Sequence, residues 1–352
     1  MENNFFIFSD RSSIIELERF HICTWEFKNS SALIEFGGEI ENPQKYDGES
    51  ISLYLYIPWI TNKHIVKDLY DKLKESENSK FIFNDSVSRI QLLDDGQQKD
   101  GVILEFTGRS PLCIIPIRSS IDEKNKTISI DINLKPFKEK QPINETNLYF
   151  RFYIEPNISL LSTRKTGISR STIIYDIKIN EKRNLPYSEI DLRKKALCDI
   201  KKCFCFNILP NSYDFTFLDV STLQNIRTLE FDSFKKYLGD NRVKKNELVV
   251  VFNKKASSES YVFFSVYSKE RIGSGQFALA IFVNLICGIL IFLASYRSSQ
   301  KINIFSNDFW LNLPYEIYIS IFISLLIGGY FFLPQILKSF QWVKSFFGKG
   351  SK

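Results

Sequence analysis

The chain has 352 residues, of which 44% are hydrophobic and 24% charged, with 46 Lys and Arg against 40 Asp and Glu. This length and apolar content exclude a disordered chain and leave room for one large or two ordinary folded domains. The excess positive charge lies between residues 178 and 255, which hold 16 basic and 10 acidic residues. The six cysteines lack the paired spacing of a disulfide framework, so reduced thiols are expected.

The front of the chain shows the period of two that is typical of β-strands. Residues 1–30 contain no basic segment, sustained apolar run or small-residue cleavage site, so we expect no signal peptide and a cytoplasmic front. Apolar and polar residues then alternate in six runs: 22–27, 51–57, 102–106, 127–134, 148–154 and 172–179. The pattern predicts a mainly β region, an antiparallel sandwich or a barrel-like fold with a few helices.

Helical periodicity is confined to three segments. Residues 63–74 carry apolar side chains on one helical face, residues 188–200 open with the N-cap-like Ser188, and a shorter helix is predicted over 232–238. The small, basic and hydroxyl-rich stretch 162–171 indicates either a long loop or a linker. We place a domain boundary there, between a β-rich domain (1–161) and a second β-rich or α+β part with a basic surface (172–270).

The basic part of the chain offers candidate contacts to an anionic partner. Lys and Arg clusters of this kind suit lipid headgroups, nucleic acid or a nucleotide, and they also occur on ordinary solvated surfaces. The candidate contacts are Arg193, Lys194, Lys195, Lys201, Lys202, Lys244 and Lys245.

Two uncharged apolar runs, 277–295 and 317–337, predict a C-terminal transmembrane hairpin. Lysines and arginines are denser before the first run and after the second than in the connecting loop, which favours cytoplasmic termini in a multi-pass inner-membrane protein. An interfacial tail that alternates lysine with aromatic residues follows at 338–352.

Small or polar residues recur at every fourth position in both predicted spans. Such a stripe lets another backbone approach closely, within the hairpin or between subunits of a homo-oligomer, and polar members of it are candidates for lining a pore. The stripes comprise Ala280, Asn284 and Gly288 in the first span, and Ser320, Ser324 and Gly328 in the second.

Motifs for catalysis or cofactor binding are absent from the sequence. It contains no phosphate-binding glycine loop, dinucleotide fingerprint, nucleophile elbow or zinc-protease motif. His21 and His64 are expected to be structural or surface residues, and a zinc site on Cys198, Cys203 and Cys205 lacks a local fourth ligand. We therefore predict no enzyme, no cofactor and no metal.

This order of parts, a β-rich front, the flexible joint 271–275 and a membrane hairpin, resembles two-helix transmembrane effectors of bacterial antiphage systems. The resemblance is strongest to those encoded with retrons, and it extends to membrane effectors of nucleotide-signalling defence systems. It implies abortive infection, in which a partner complex restrains the protein until a phage disturbs it and the inner membrane is permeabilised. In the retron case the partners would be a reverse transcriptase and its RNA–DNA product, with the basic region as the contact.

Two other interpretations stay open. A membrane-tethered scaffold would need the hairpin only as an anchor, whereas a membrane-bound enzyme would depend on a few polar pocket residues. Because two helices cannot enclose a pore, the effector hypothesis also requires assembly of several subunits.

Overall fold

The computed structural model describes residues 3–28, 30–93, 100–140, 142, 145–167, 170–188, 190–191, 193–271, 274–300, 315 and 317–326. The strands are, in chain order, β1 (Asn3–Asp10), β2 (Glu16–Glu26), β3 (Ala32–Ile40), β4 (Ser50–Tyr56), β5 (Lys67–Asp68), β6 (Val87–Leu92), β7 (Val102–Phe106), β8 (Leu112–Ile114), β9 (Arg118–Asp122), β10 (Thr127–Asn133), β11 (Asn147–Ile154), β12 (Thr163–Thr166), β13 (Arg170–Ile179), β14 (Lys195–Leu197), β15 (Asp199–Ile200), β16 (Lys202–Pro210), β17 (Asp214–Leu218), β18 (Leu223–Thr228), β19 (Leu248–Ala256) and β20 (Tyr261–Glu270). The helices are α1 (Tyr70–Leu73), α2 (Ser76–Phe83), α3 (Lys135–Lys140), α4 (Ile158–Leu161), α5 (Phe231–Leu238) and α6 (Ser274–Gln300), with short 3₁₀ turns at Pro43–Lys45 and Lys182–Asn184.

The strands form two sheets. The first has the order β17-β20-β13-β1-β4-β10-β9, with β12 paired to β13 and β14 to β1. The second has the order β18-β19-β16-β2-β3-β11-β8-β7-β6, with β15 paired to β2 and β5 to β11. The six predicted strand runs lie within β2, β4, β7, β10, β11 and β13 to within one residue, so the mainly β prediction is confirmed.

Both sheets are mixed, which corrects the prediction of a purely antiparallel arrangement. β1 pairs in parallel with β13, and β2 pairs in parallel with β16. These pairs join strands that are far apart in the sequence, for example Asn3 with Ile177 and Phe20 with Cys203. Turn signals report only neighbouring strands, so they could not reveal these parallel contacts.

The two sheets share one hydrophobic core, and helices cover the outer face of the second sheet. In β2, Phe20 and Ile22 enter the core between the sheets, whereas Cys23 and Trp25 enter a second apolar cluster with α1, α2 and α5. Because strand side chains alternate between faces, β2 is buried along most of its length on both sides. Residues 1–166 and 171–269 form one compact unit, the β-rich unit. The described residues of 167–170 and 270–352 belong to a second, the C-terminal unit.

The stretch predicted as a linker, 162–171, includes a strand pairing. β12 pairs antiparallel with β13, and Thr166 lies opposite Ser171. Strands from both sides of the proposed boundary also share each sheet, since β1 contacts β13 and β2 contacts β16.

The helix predictions had mixed outcomes. The helix predicted over 232–238 is confirmed as α5, whereas only Tyr70–Leu73 of the segment 63–74 is α-helical. The helix predicted over 188–200 is wrong, because β14 and β15 occupy its second half and pair with β1 and β2. Those ladders satisfy the backbone groups that a helix would otherwise have paired internally.

Candidate functional site

Among the described residues of the C-terminal unit, one helix is long and apolar enough to cross a membrane. This part of α6 is Gly275–Arg297, 23 residues in length, and most of its side chains are exposed. At a rise of 1.5 Å per residue it spans about 35 Å, compared with about 30 Å for a hydrocarbon core. It contains the predicted span 277–295 entirely.

The second predicted span is described only over its first half. Ile317–Leu326 is an apolar helix of ten residues, too short by itself to cross a bilayer. The remainder of the span, including Gly328, and the tail 338–352 lie outside the described residues.

The two helices contact each other through large apolar side chains. Ile317 is buried against Phe292, Leu293, Tyr296 and Ile321. Phe292 and Leu293 precede Tyr296 by four and three positions, so the three side chains lie on one face of α6.

The predicted small-residue stripes have different environments. Ser324 is buried, and its hydroxyl donates to the carbonyl oxygen of Ser320 at 2.8 Å, within its own helix. Ala280, Asn284 and Gly288 are exposed on α6, and a Cβ added to Gly288 would meet no described atom within 4 Å. The described residues therefore do not bring the two stripes together, and the stripe on α6 is accessible.

The predicted basic contacts do not form one patch. Lys202 lies opposite Ala256 at one end of the β16–β19 ladder, whereas Lys244 and Lys245 shortly precede Leu248, which lies opposite Pro210 at the other end. Eight residues of strand separate the two ends by about 27 Å.

Three of these basic residues are held by neighbouring groups. Lys202 Nζ lies 2.6 Å from a Glu18 oxygen, Lys201 Nζ lies 2.5 Å from a Glu41 oxygen, and the ammonium of Lys195 lies over the Tyr54 ring. The remaining candidates, Arg193, Lys194, Lys244 and Lys245, are exposed.

A cavity of about 650 Å³ lies between the outer face of the second sheet and the helices α2 and α5. We call it the aromatic cavity, because its lining includes Phe81, Phe83, Phe204, Phe206, Phe234 and Phe252. The strand register explains this grouping. Phe204 lies opposite His21, Phe206 opposite both Cys23 and Phe252, and alternate residues of each strand face the same side.

Buried charge forms part of the floor. Glu35 is fully buried and accepts hydrogen bonds from Trp25 Nε1 at 2.6 Å and from the Tyr237 hydroxyl at 3.0 Å. Arg151, which lines the cavity and is 7% exposed, places Nη2 2.5 Å from Glu35 Oε2. Its buried Nε has no hydrogen-bond partner among the described residues.

A second buried carboxylate, Glu39, holds another arginine of the lining. Arg19 Nε lies 2.7 Å from Glu39 Oε2, and its guanidinium lies 5.8 Å from the Phe204 ring centroid. Glu39 also contacts Arg109 Nη2 at 3.2 Å and accepts a hydrogen bond from Asn147 Nδ2 at 2.8 Å. Glu39 therefore keeps two partners if Arg19 is removed.

His21 lies between these two ion pairs. Its Nε2 is 3.1 Å from the Tyr149 hydroxyl, and the two rings stack with centroids 5.7 Å apart. Burial, and then the charges of Arg151 and Arg19, hold the pKa of His21 well below its ordinary value. Burial raises the pKa of Tyr149 to about 12, so both groups are uncharged at neutral pH.

A glycine beneath His21 makes room for its ring. A Cβ at Gly37 would lie 2.3 Å from two ring atoms of His21 and 3.1 Å from the Phe150 carbonyl oxygen. The absence of a side chain at this position on β3 therefore fixes how deeply the imidazole can sit.

The cysteines considered for zinc are separate core residues. Cys198, Cys203 and Cys205 are buried and free, and burial raises the pKa of each thiol. Within the described ranges, no group of three His, Cys, Asp or Glu side chains is placed to hold a metal ion.

Sequence reasoning did not identify the aromatic cavity. His21 was expected to be structural, and Arg19 and Arg151 were not singled out. One local signal was present: Arg151 interrupts the apolar run LYFRFYI, and an arginine inside a buried strand requires a specific partner. That its partner is Glu35 follows only from the pairing of β11 with β3.

The chain matches no protein-family model and no curated protein. Two features therefore carry the functional inference: an exposed apolar helix of membrane-crossing length, and an aromatic cavity with charged residues in its lining.

Proposed function

We propose that this protein is a membrane-anchored effector of antiphage defence that acts by abortive infection. Its β-rich unit lies in the cytoplasm and is restrained by a partner complex. Release allows the C-terminal helices to assemble with those of other copies and permeabilise the inner membrane. The observation that carries the proposal is the uncharged, unburied stretch of α6, which in water would expose a large apolar surface.

Flanking charge supports the orientation. Lys269 and Arg271 immediately precede α6, and four lysines follow the second predicted span, whereas the only basic residues between the spans are Arg297 and Lys301. By the positive-inside rule, both termini would be cytoplasmic, with a short loop outside.

The accessible stripe on α6 supports assembly. Ala280, Asn284 and Gly288 are exposed, while the covered side of α6 uses Phe292 and Tyr296. An amide near the middle of a membrane span needs a partner, and Asn284 would find one in a neighbouring subunit or in a water-filled lumen.

A partner complex would contact the exposed basic residues. Arg193 and Lys194, or Lys244 and Lys245, could meet phosphate groups of an RNA–DNA product bound by a reverse transcriptase. Lys195, Lys201 and Lys202 are weaker candidates, because neighbouring groups already hold their charges.

The proposal is tested by expressing the chain inducibly in a bacterium, with and without neighbouring genes and phage, while propidium iodide entry and membrane potential are followed. We expect permeabilisation by the native chain and none after residues 274–352 are exchanged for an unrelated two-span anchor. Intact membranes under every condition would favour a tethered scaffold. Full activity after the exchange, lost on changing a few polar residues of the cavity, would favour a membrane-bound enzyme.

A point variant tests the packing. Gly288→Leu should abolish propidium iodide entry while leaving membrane insertion intact, because the new side chain blocks close approach of another helix. Val283→Leu introduces the same side chain at another exposed position of α6 and serves as the matched control. Equal permeabilisation by both variants would contradict assembly through this stripe.

A further inference from the structure

We propose that the aromatic cavity is a binding site for a planar aromatic anion, a ring system that carries a carboxylate or phosphate group. The inference concerns the β-rich unit alone and does not rest on what the membrane helices do.

The wall of the cavity suits a flat ring. Phe206 and Phe252 stack with centroids 4.5 Å apart and planes 6° apart, and Phe204 meets Phe252 edge-on at 5.6 Å. Phe81 and Phe234 form a similar edge-to-face pair at 4.6 Å on the helix side. The volume of about 650 Å³ lies within the usual range for small-molecule sites, and aromatic faces bind planar ring systems by stacking.

The charged groups of the lining favour an anion over a cation. Both carboxylates of the lining are already in ion pairs, Glu230 with Arg227 at 3.0 Å and Glu77 with Lys236. A cationic ligand would therefore meet occupied carboxylates, together with repulsion from Arg19 and Arg151.

The arginines retain capacity to bind an acid. Arg151 Nε is a buried donor without a described acceptor, and Arg19 has a side chain 26% exposed beside the Phe204 ring. Buried donors are normally satisfied, and a guanidinium matches the geometry of carboxylate and phosphate oxygens. A ring stacked along the phenylalanine wall at Phe204 would place its acidic group beside Arg19, in a cavity that Arg151 also lines.

The chain offers a matched pair of variants. Arg19 and Arg109 both bind Glu39, but only Arg19 lines the cavity. Replacing either one leaves Glu39 with the other arginine and Asn147. Arg19→Gln and Arg109→Gln should therefore perturb the same carboxylate while differing in their effect on the cavity.

The test is isothermal titration calorimetry of the full chain in detergent micelles, with adenosine monophosphate, phenylpyruvate and adenosine as probes. We expect at least one of the two acids to bind, and adenosine to bind at least tenfold more weakly than adenosine monophosphate if the phosphate is recognised. Binding of adenosine monophosphate alone identifies a phosphate ligand, and binding of phenylpyruvate alone identifies a carboxylate ligand.

Arg19→Gln should weaken binding of the acid at least tenfold, whereas Arg109→Gln should change it by less than twofold. Phe252→Leu, which removes one ring of the wall, should also weaken binding and provides a second variant if Arg19→Gln does not fold. The proposal is overturned if neither acid binds. It is also overturned if phenylpyruvate does not bind and adenosine binds as tightly as adenosine monophosphate. Equal losses of affinity in Arg19→Gln and Arg109→Gln would overturn it as well.

Discussion

The ion pair between Arg151 and Glu35 makes a quantitative prediction about the floor of the aromatic cavity. Arg151→Met removes the one cation within 2.5 Å of a fully buried carboxylate and leaves Glu35 with only the Trp25 and Tyr237 hydrogen bonds. Breaking a buried pair in this way costs about 3–5 kcal/mol, because the remaining charge cannot be solvated. For a β-rich unit of this size, each kcal/mol lowers the unfolding midpoint by about 2–4 °C, so we expect a decrease of roughly 6–20 °C.

The assay is thermal unfolding of the full chain in detergent micelles, followed by near-ultraviolet circular dichroism. Lys182→Met is the control, because Lys182 forms an ion pair with Glu259 at 2.7 Å in which both side chains are exposed, and its loss should leave the midpoint unchanged. Adding Glu35→Gln to Arg151→Met should recover at least half of the decrease, since the buried charge is then gone. The reasoning is refuted if Arg151→Met and Lys182→Met lower the midpoint equally, or if the double variant is no more stable than Arg151→Met.

Three further predictions concern the same floor. Gly37→Ala should destabilise the β-rich unit by about 1–3 kcal/mol, measured as a lower unfolding midpoint, because its Cβ would lie 2.3 Å from the His21 ring; an unchanged midpoint would contradict the described packing. Folding lowers the pKa of His21, so below about pH 6.5 the unfolded chain binds a proton that the folded chain does not. As the pH decreases below this value, the free energy of unfolding therefore falls by up to about 1.4 kcal/mol per pH unit through this group. His21→Gln should remove that part of the slope, so an unchanged pH profile of the midpoint would contradict a neutral His21. Arg19→Gln should lower the midpoint less than Arg151→Met, since Glu39 keeps Arg109 and Asn147 as partners. An equal decrease would contradict the expectation that these partners compensate for the loss of Arg19.

The sequence predicted what depends on short-range pattern. The run LYFRFYI alternates with a period of two, and it lies in β11 as expected. The apolar run 277–295 was also predictable from local sequence, and it is helical. A long uncharged stretch pairs its backbone groups internally in an apolar environment by forming a helix.

The sequence could not predict what depends on distant pairing. Residues 195–200 follow an N-cap-like serine, yet they form two short strands because β1 and β2 offer free edges to them. The aromatic cavity likewise joins Phe204, His21 and Phe252 through the register of three strands that are distant in the chain. Local periodicity carries no information about which strands become neighbours.

The proposal that α6 crosses the membrane is tested most directly by cysteine labelling in intact cells. Five of the six native cysteines are buried in the β-rich unit, and Cys287 is the exposed one, so a Cys287→Ser background exposes only a newly introduced cysteine. The Cys287→Ser background also carries Gly288→Leu, which should keep the membrane intact without preventing insertion. In this background we predict that a membrane-impermeant maleimide labels Ser299→Cys in intact cells, whereas it labels Glu270→Cys only after the membrane is permeabilised. Labelling of both positions only after permeabilisation, or recovery of the unlabelled protein in the soluble fraction, would contradict a membrane-crossing α6 with a cytoplasmic β-rich unit.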